Sequence, residues 1–114
     1  MDSCLFCRIV AGTIPATIVR ETPRAIAFRD VDPKAPTHIL IVPRDHIDSV
    51  DSPEAEDGAL WADIIGLARG IARSLGLSDD GYRLVINHGR DGGQSVAHLH
   101  VHVLAGRRLG WPPG

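Results

Sequence analysis

The segment His98-Leu99-His100-Val101-His102-Val103-Leu104 restricts the fold of this chain more than any other stretch. Its apolar residues alternate with imidazoles, and a period of two belongs to an extended strand whose side chains point to opposite faces in turn. Leu99, Val101 and Val103 then face a core. His98, His100 and His102 share the other face, with neighbours roughly 6.5–7 Å apart. Three of the six histidines thus lie on one strand face. Three readings follow: ordinary satisfied histidines, a metal site using strand imidazoles as nitrogen ligands, or imidazole chemistry.

The preceding loop, Asn87-His88-Gly89-Arg90-Asp91-Gly92-Gly93-Gln94-Ser95, favours chemistry at phosphorus. Its glycines let backbone N–H groups turn toward an anion, and Gln94 and Ser95 add side-chain hydrogen bonds. Alone, such a loop is a hairpin connection. Placed directly before three same-face histidines, it supplies phosphate donors beside an imidazole nucleophile.

The rest of the sequence limits the frame around that strand. With 114 residues, 44% of them apolar, the chain reads as a single domain, 1–114, able to bury one core without disulfides. A net charge of −2, with twelve scattered Lys and Arg, gives no footprint for nucleic acid or an anionic membrane surface. No apolar run approaches the roughly 20 residues of a membrane span. Asp2 and Arg8 interrupt any signal-peptide core, so a soluble cytoplasmic protein is expected. Cys4 and Cys7 are the only cysteines, leaving a redox motif, half a metal site or packing as their readings.

Residues 5–11 predict a short helix ending at Gly12, and residues 18–21, 25–29 and 37–42 predict strands, the last of them buried on both sides. One long helix is expected, with Ser52 as N-cap, Pro53 in the first position and Gly76 as its stop. Leu60, Ile64, Leu67, Ile71 and Leu75 form its apolar stripe, and a second stripe runs through Trp61, Ile65, Ala68 and Ala72. Strands over 82–87 and 97–104 flank the glycine loop, and the tail from Gly106 is irregular. Strands that do not alternate with helices indicate an α+β fold: an antiparallel sheet of about five strands covered by one long helix, plus the short N-terminal helix.

At this point the chain resembles the histidine-triad (HIT) superfamily, whose signature alternates histidine with apolar residues as His98 to Leu104 does. Ala27-Phe28-Arg29-Asp30, Ala35-Pro36-Thr37-His38, Gly92-Gly93-Gln94-Ser95 and Gly110-Trp111-Pro112-Pro113-Gly114 resemble its HINT branch, the purine nucleoside phosphoramidases. The resemblance implies hydrolysis of AMP phosphoramidates or acyl-AMP through a nucleotidyl-histidine, with no cofactor required for catalysis. His100 would be the nucleophile, with His102 and Ser95 on the phosphate. His98 completes the triad, and His38 would support it through hydrogen bonds. Asn87, Gly93 and Gln94 match the phosphate-side loop. Leu5, Phe6, Ile9 and Phe28 would enclose the base, and Asp30, between Arg29 and Val31, would accept from the ribose hydroxyls. Some bacterial members carry Cys4-x-x-Cys7 in what resembles a zinc site, which His46 and His98 would complete here. A purine-nucleotide binder with little turnover, and a hydrolase using the triad as metal ligands, are the alternatives. The second helix stripe and the tail predict a homodimer in which Trp111 reaches the partner's active site.

Overall fold

The computed structural model describes residues 3–114, and Asp2, invoked above against a signal peptide, lies outside them. Five antiparallel strands form one sheet in the order β1-β2-β3-β5-β4: β1 Ile18–Glu21, β2 Ala25–Arg29, β3 Thr37–Pro43, β4 Tyr82–Val85 and β5 Val101–Ala105. The β1–β2 hairpin closes where the Thr22 N–H donates to the Ala25 carbonyl (2.8 Å). The Thr22 hydroxyl accepts the N–H groups of Arg24 and Ala25 (3.2 and 3.0 Å). Helix α1, Leu5–Val10, lies on one face of the sheet and α2, Gly58–Ser74, on the other.

Strand parity sorts the side chains. Odd residues Ile39 and Ile41 of β3 and Val101 and Val103 of β5 are fully buried with Leu60, Ile64, Leu67 and Ile71 of α2. Even residues Leu40 and Val42 pack on the opposite face with Ile26 and Phe28 of β2 and Phe6 of α1. The register sets Leu40 beside His102 and His38 beside Leu104, so the histidines share the α1 face. Among the described residues, no helix is long and apolar enough to cross a membrane.

Four local expectations need correction. Ser52 and Pro53 open only a single 3₁₀ turn, Pro53–Ala55. Glu56 leaves helical geometry there (ψ 38°), and α2 starts afresh at Gly58, where the Asp57 carboxylate caps the Leu60 N–H (3.2 Å). The second helix stripe is largely covered within one chain. Ala68 and Ala72 are fully buried and the Trp61 indole N–H donates to the Ala55 carbonyl (2.7 Å), leaving Ile65 as its wet member. Leu75, at the helix C-cap, is exposed and leaves the first stripe. Finally, β4 stops at Val85, and the β5 ladder begins only at Val101 because the Leu99 N–H donates instead to the Ile47 carbonyl after β3 (2.6 Å). The alternation still holds through that stretch, with Leu99 in the α2-side core. The loop before it carries a short helix, α3, Gly89–Gly92.

Candidate active site

Proton positions in the histidine cluster follow from its hydrogen bonds. The Lys34 backbone N–H donates to Nδ1 of His38 (3.0 Å), so that nitrogen holds a lone pair and the ring proton sits on Nε2. His38 Nε2 lies 2.8 Å from Nδ1 of His102 and 3.5 Å from the Asp30 carboxylate. Nδ1 of His102 therefore accepts, and its own proton is on Nε2. That Nε2–H is buried without a hydrogen-bond partner among the described residues. Burial, then repulsion from His100 and His38, pushes the His102 pKa down to about 4, and burial lowers that of His38. Both rings are neutral at pH 7.

His100 is set the other way. Its Nδ1–H donates to the backbone carbonyl of His98 (2.8 Å), which leaves the Nε2 lone pair free. The rings of His100 and His102 stand 5.0 Å apart. A lone pair and an N–H donor thus sit side by side at one cavity.

That cavity, of about 360 Å³, is lined by Leu5, Phe6 and Ile9 of α1, by Phe28, Arg29, Asp30 and Val31 at the end of β2, and by Ser95, His100 and His102. All ten were expected from the sequence. Phe6 meets Phe28 and His100 edge-on, with centroids 5.6 and 5.1 Å apart, so it serves both as core and as cavity wall. Ile14, Pro15, Ala16, Leu40 and Val96 complete the lining and were missed. Leu40 was readable from its strand parity with His38; the loop 14–16 offers no chemical signal. A larger concavity, about 480 Å³ near Arg107 and Arg108, shares no residue with the first and contains no histidine.

Asn87, Gly93, Gln94 and Trp111 stand outside the lining. Gly93 has φ +80° at the end of α3, a left-handed conformation that explains the glycine without a phosphate. The Gln94 amide is engaged by backbone groups on both sides. Trp111 is 82% exposed in the single chain.

Behind the cavity, Cys4, Cys7, His46 and His98 bring their four ligand atoms within 4.8 Å of one another. Nδ1 of His98 lies 3.3 and 3.5 Å from the sulfurs of Cys4 and Cys7, and Nδ1 of His46 lies 3.2 Å from that of Cys7. Tetrahedral zinc with usual bond lengths separates sulfur and nitrogen ligands by about 3.5 Å, so the spacing fits. The outer nitrogens fit too: His98 Nε2–H donates to the Pro43 carbonyl (2.9 Å) and His46 Nε2–H to the Asp48 carboxylate (2.7 Å), turning both Nδ1 lone pairs inward. Cys4 also caps α1, accepting the Cys7 N–H (3.4 Å). Of the triad, only His98 joins this cluster. Asp30, His38 and His102 form a second group of ligand atoms, but both His38 nitrogens are already engaged.

Comparison with known proteins identifies the family. Residues 11–109 match the HIT domain family. An uncharacterized HIT-like protein of Synechococcus elongatus is 46% identical over 113 residues, covering 99% of this chain and 98% of that protein. A HIT family hydrolase from Legionella pneumophila superposes with a TM-score of 0.94 at 49% identity, over 98% of this chain and 100% of the other. A more distant structure, a histidine triad nucleotide-binding protein from Candida albicans, gives 0.82 at 30% identity, over 96% and 83%. The α+β sheet is the fold of these neighbours, and the chain belongs to the HIT domain family.

Proposed function

We propose that this protein is a nucleotide hydrolase that cleaves AMP phosphoramidates or acyl-AMP through a nucleotidyl-His100 intermediate. The observation that carries the reading is the pairing of the free Nε2 lone pair on His100 with the unpartnered Nε2–H of His102 at one nucleoside-sized cavity. Two structural neighbours are a HIT family hydrolase and a histidine triad nucleotide-binding protein, and the resemblance to the HINT branch supplies the P–N specificity.

His100 Nε2 attacks the α-phosphorus, forming an N–P bond as the P–N or P–O bond to the leaving group breaks. A departing amine takes a proton from solvent, whereas a departing carboxylate needs none. The substituted ring is then cationic, and the His98 carbonyl stabilises it through Nδ1–H. Water attacks next. A new P–O bond forms, the water's proton passes to solvent, the N–P electrons return to Nε2, and AMP leaves. Throughout, the His102 N–H donates to a non-bridging oxygen where charge develops, and Ser95 contacts the phosphate or leaving group. Asp30 accepts from ribose hydroxyls while Leu5, Phe6, Ile9 and Phe28 enclose the purine.

The fit of the thiol and imidazole cluster supports a structural zinc held by Cys4, Cys7, His46 and His98, none of which lines the nucleotide cavity. When bound it supplies folding free energy and fixes the ligands. Metal analysis of protein purified without added zinc should give near one equivalent; under a tenth of an equivalent would favour idle thiols. The proposed assembly is a homodimer that seats Trp111 near the partner's site.

A fluorogenic AMP phosphoramidate tests the enzymatic reading. Wild type should turn over, and His100→Ala should lose several orders of magnitude in kcat while still binding AMP. Near-normal turnover in the variant would sink the nucleophile assignment, and binding without turnover in wild type would favour a nucleotide-responsive binder.

A further inference from the structure

Gln94 does not face the cavity. Its Nε2 donates to the backbone carbonyls of Asp48 (2.8 Å) and Val96 (3.0 Å), and its Oε1 accepts the backbone N–H of Gly89 (3.1 Å). One primary amide therefore joins both ends of the loop that carries Ser95 to the segment following β3. That segment has two other ties. His46 faces the Cys7 sulfur through Nδ1 and donates to the Asp48 carboxylate through Nε2. The Ile47 carbonyl accepts the N–H of Leu99, next to the nucleophile. His46, Ile47 and Asp48 thus reach, in order, the metal-ligand cluster, the histidine strand and the phosphate loop.

We propose that Gln94 is a positioning residue that couples the Cys4/Cys7/His46/His98 cluster to the phosphate side of the site, so that metal loading sets where Ser95 stands. This rests on the nucleotide-hydrolase and zinc readings above. Ser95 is exposed and lies between Gln94 and Val96, the two residues that the clamp fixes. The geometry needs an amide. Glutamate at position 94 would direct oxygens at two carbonyls, and methionine would fill the space with neither donor nor acceptor.

Amide hydrogen exchange on the zinc-loaded full chain reads the coupling. In wild type, chelation should speed exchange at Gly89 and Gln94 by about ten-fold, the size of one hydrogen bond. In Gln94→Met, exchange at Gly89 should already be fast and respond little to chelation. On an AMP phosphoramidate, zinc-loaded Gln94→Met should lose roughly ten- to hundred-fold in kcat through misplaced groups, with KM nearly unchanged. Equal responses to chelation in wild type and Gln94→Met would overturn the proposal, as would unchanged kcat in the variant or a wild-type chain that binds no zinc. If wild type binds zinc but turns over no nucleotide, the function reading fails while exchange still decides the coupling. Should chelation unfold the protein, zinc-loaded Gln94→Met decides alone: unchanged exchange at Gly89 and unchanged kcat would defeat the clamp.

Discussion

The proton on His102 Nε2 is placed by a backbone amide two residues removed in the hydrogen-bond chain. Lys34 N–H fixes His38, and His38 fixes His102. His102→Ala removes a single charge-stabilising donor, so kcat should fall by about 10²–10³, less than for loss of His100. Comparable losses in the two variants, measured on the same substrate, would remove the distinction in roles. The depressed pKa values also make a stability prediction. His102 titrates at about 4 in the folded chain and burial holds His38 below the ordinary 6.5, so below that value the unfolded chain binds more protons, for His102 down to about 4. Stability is therefore full above about pH 6.5 and falls as pH drops toward 4, by at most about 1.4 kcal/mol per pH unit for each imidazole. Urea midpoints at pH 7 and pH 5 check this, and a midpoint that holds or rises at pH 5 contradicts the neutral-ring assignment.

At the level of elements, β1 and β2 coincide with their sequence expectations residue for residue, and β3 extends only by Pro43. Their apolar runs and bounding turns are local signals. The start of α2 was illegible for a physical reason: Ser52-Pro53 and Asp57-Gly58 are both good starts, and the backbone at Glu56 decides between them. Asp57→Ala should accordingly cost about 1 kcal/mol, the usual worth of an N-cap, whereas Ser52→Ala should cost less. Thermal unfolding of both variants checks the ranking. The triad face, Asp30 and the α1 wall were legible through strand parity and the family resemblance. Gln94's true partners were not, because its contact with Asp48 spans 46 residues and uses a backbone carbonyl that no side-chain pattern reveals.

For the whole molecule, the open question is what covers the exposed apolar surface. The helix stripe gives less support for a partner than its sequence implies, since Ala68 and Ala72 are already buried. The sheet edge gives more. β4 is an edge strand followed by exposed Ile86, and Arg83 on that strand donates to the Gly110 carbonyl (2.9 Å), directing the tail along the edge with Trp111 exposed. Pairing of two β4 edges would deliver each tail to the other chain. Light scattering should give a dimer mass, and deleting residues 110–114 should change leaving-group preference; a monomer mass, or a truncated dimer with unaltered preference, would defeat the respective claim.

Because odd and even residues of β3 and β5 divide between core and site, the chemistry and the hydrophobic core share one reading frame. Inserting a single residue between Ala97 and Val101 would slide part of the imidazole set under α2 and present Leu99 to the nucleotide. Over evolutionary time such a chain can accept many substitutions on its surface but almost no change of length within this strand. A change of length is expected to be tolerated instead in connections such as 75–81, between α2 and β4, where parity no longer links fold to catalysis.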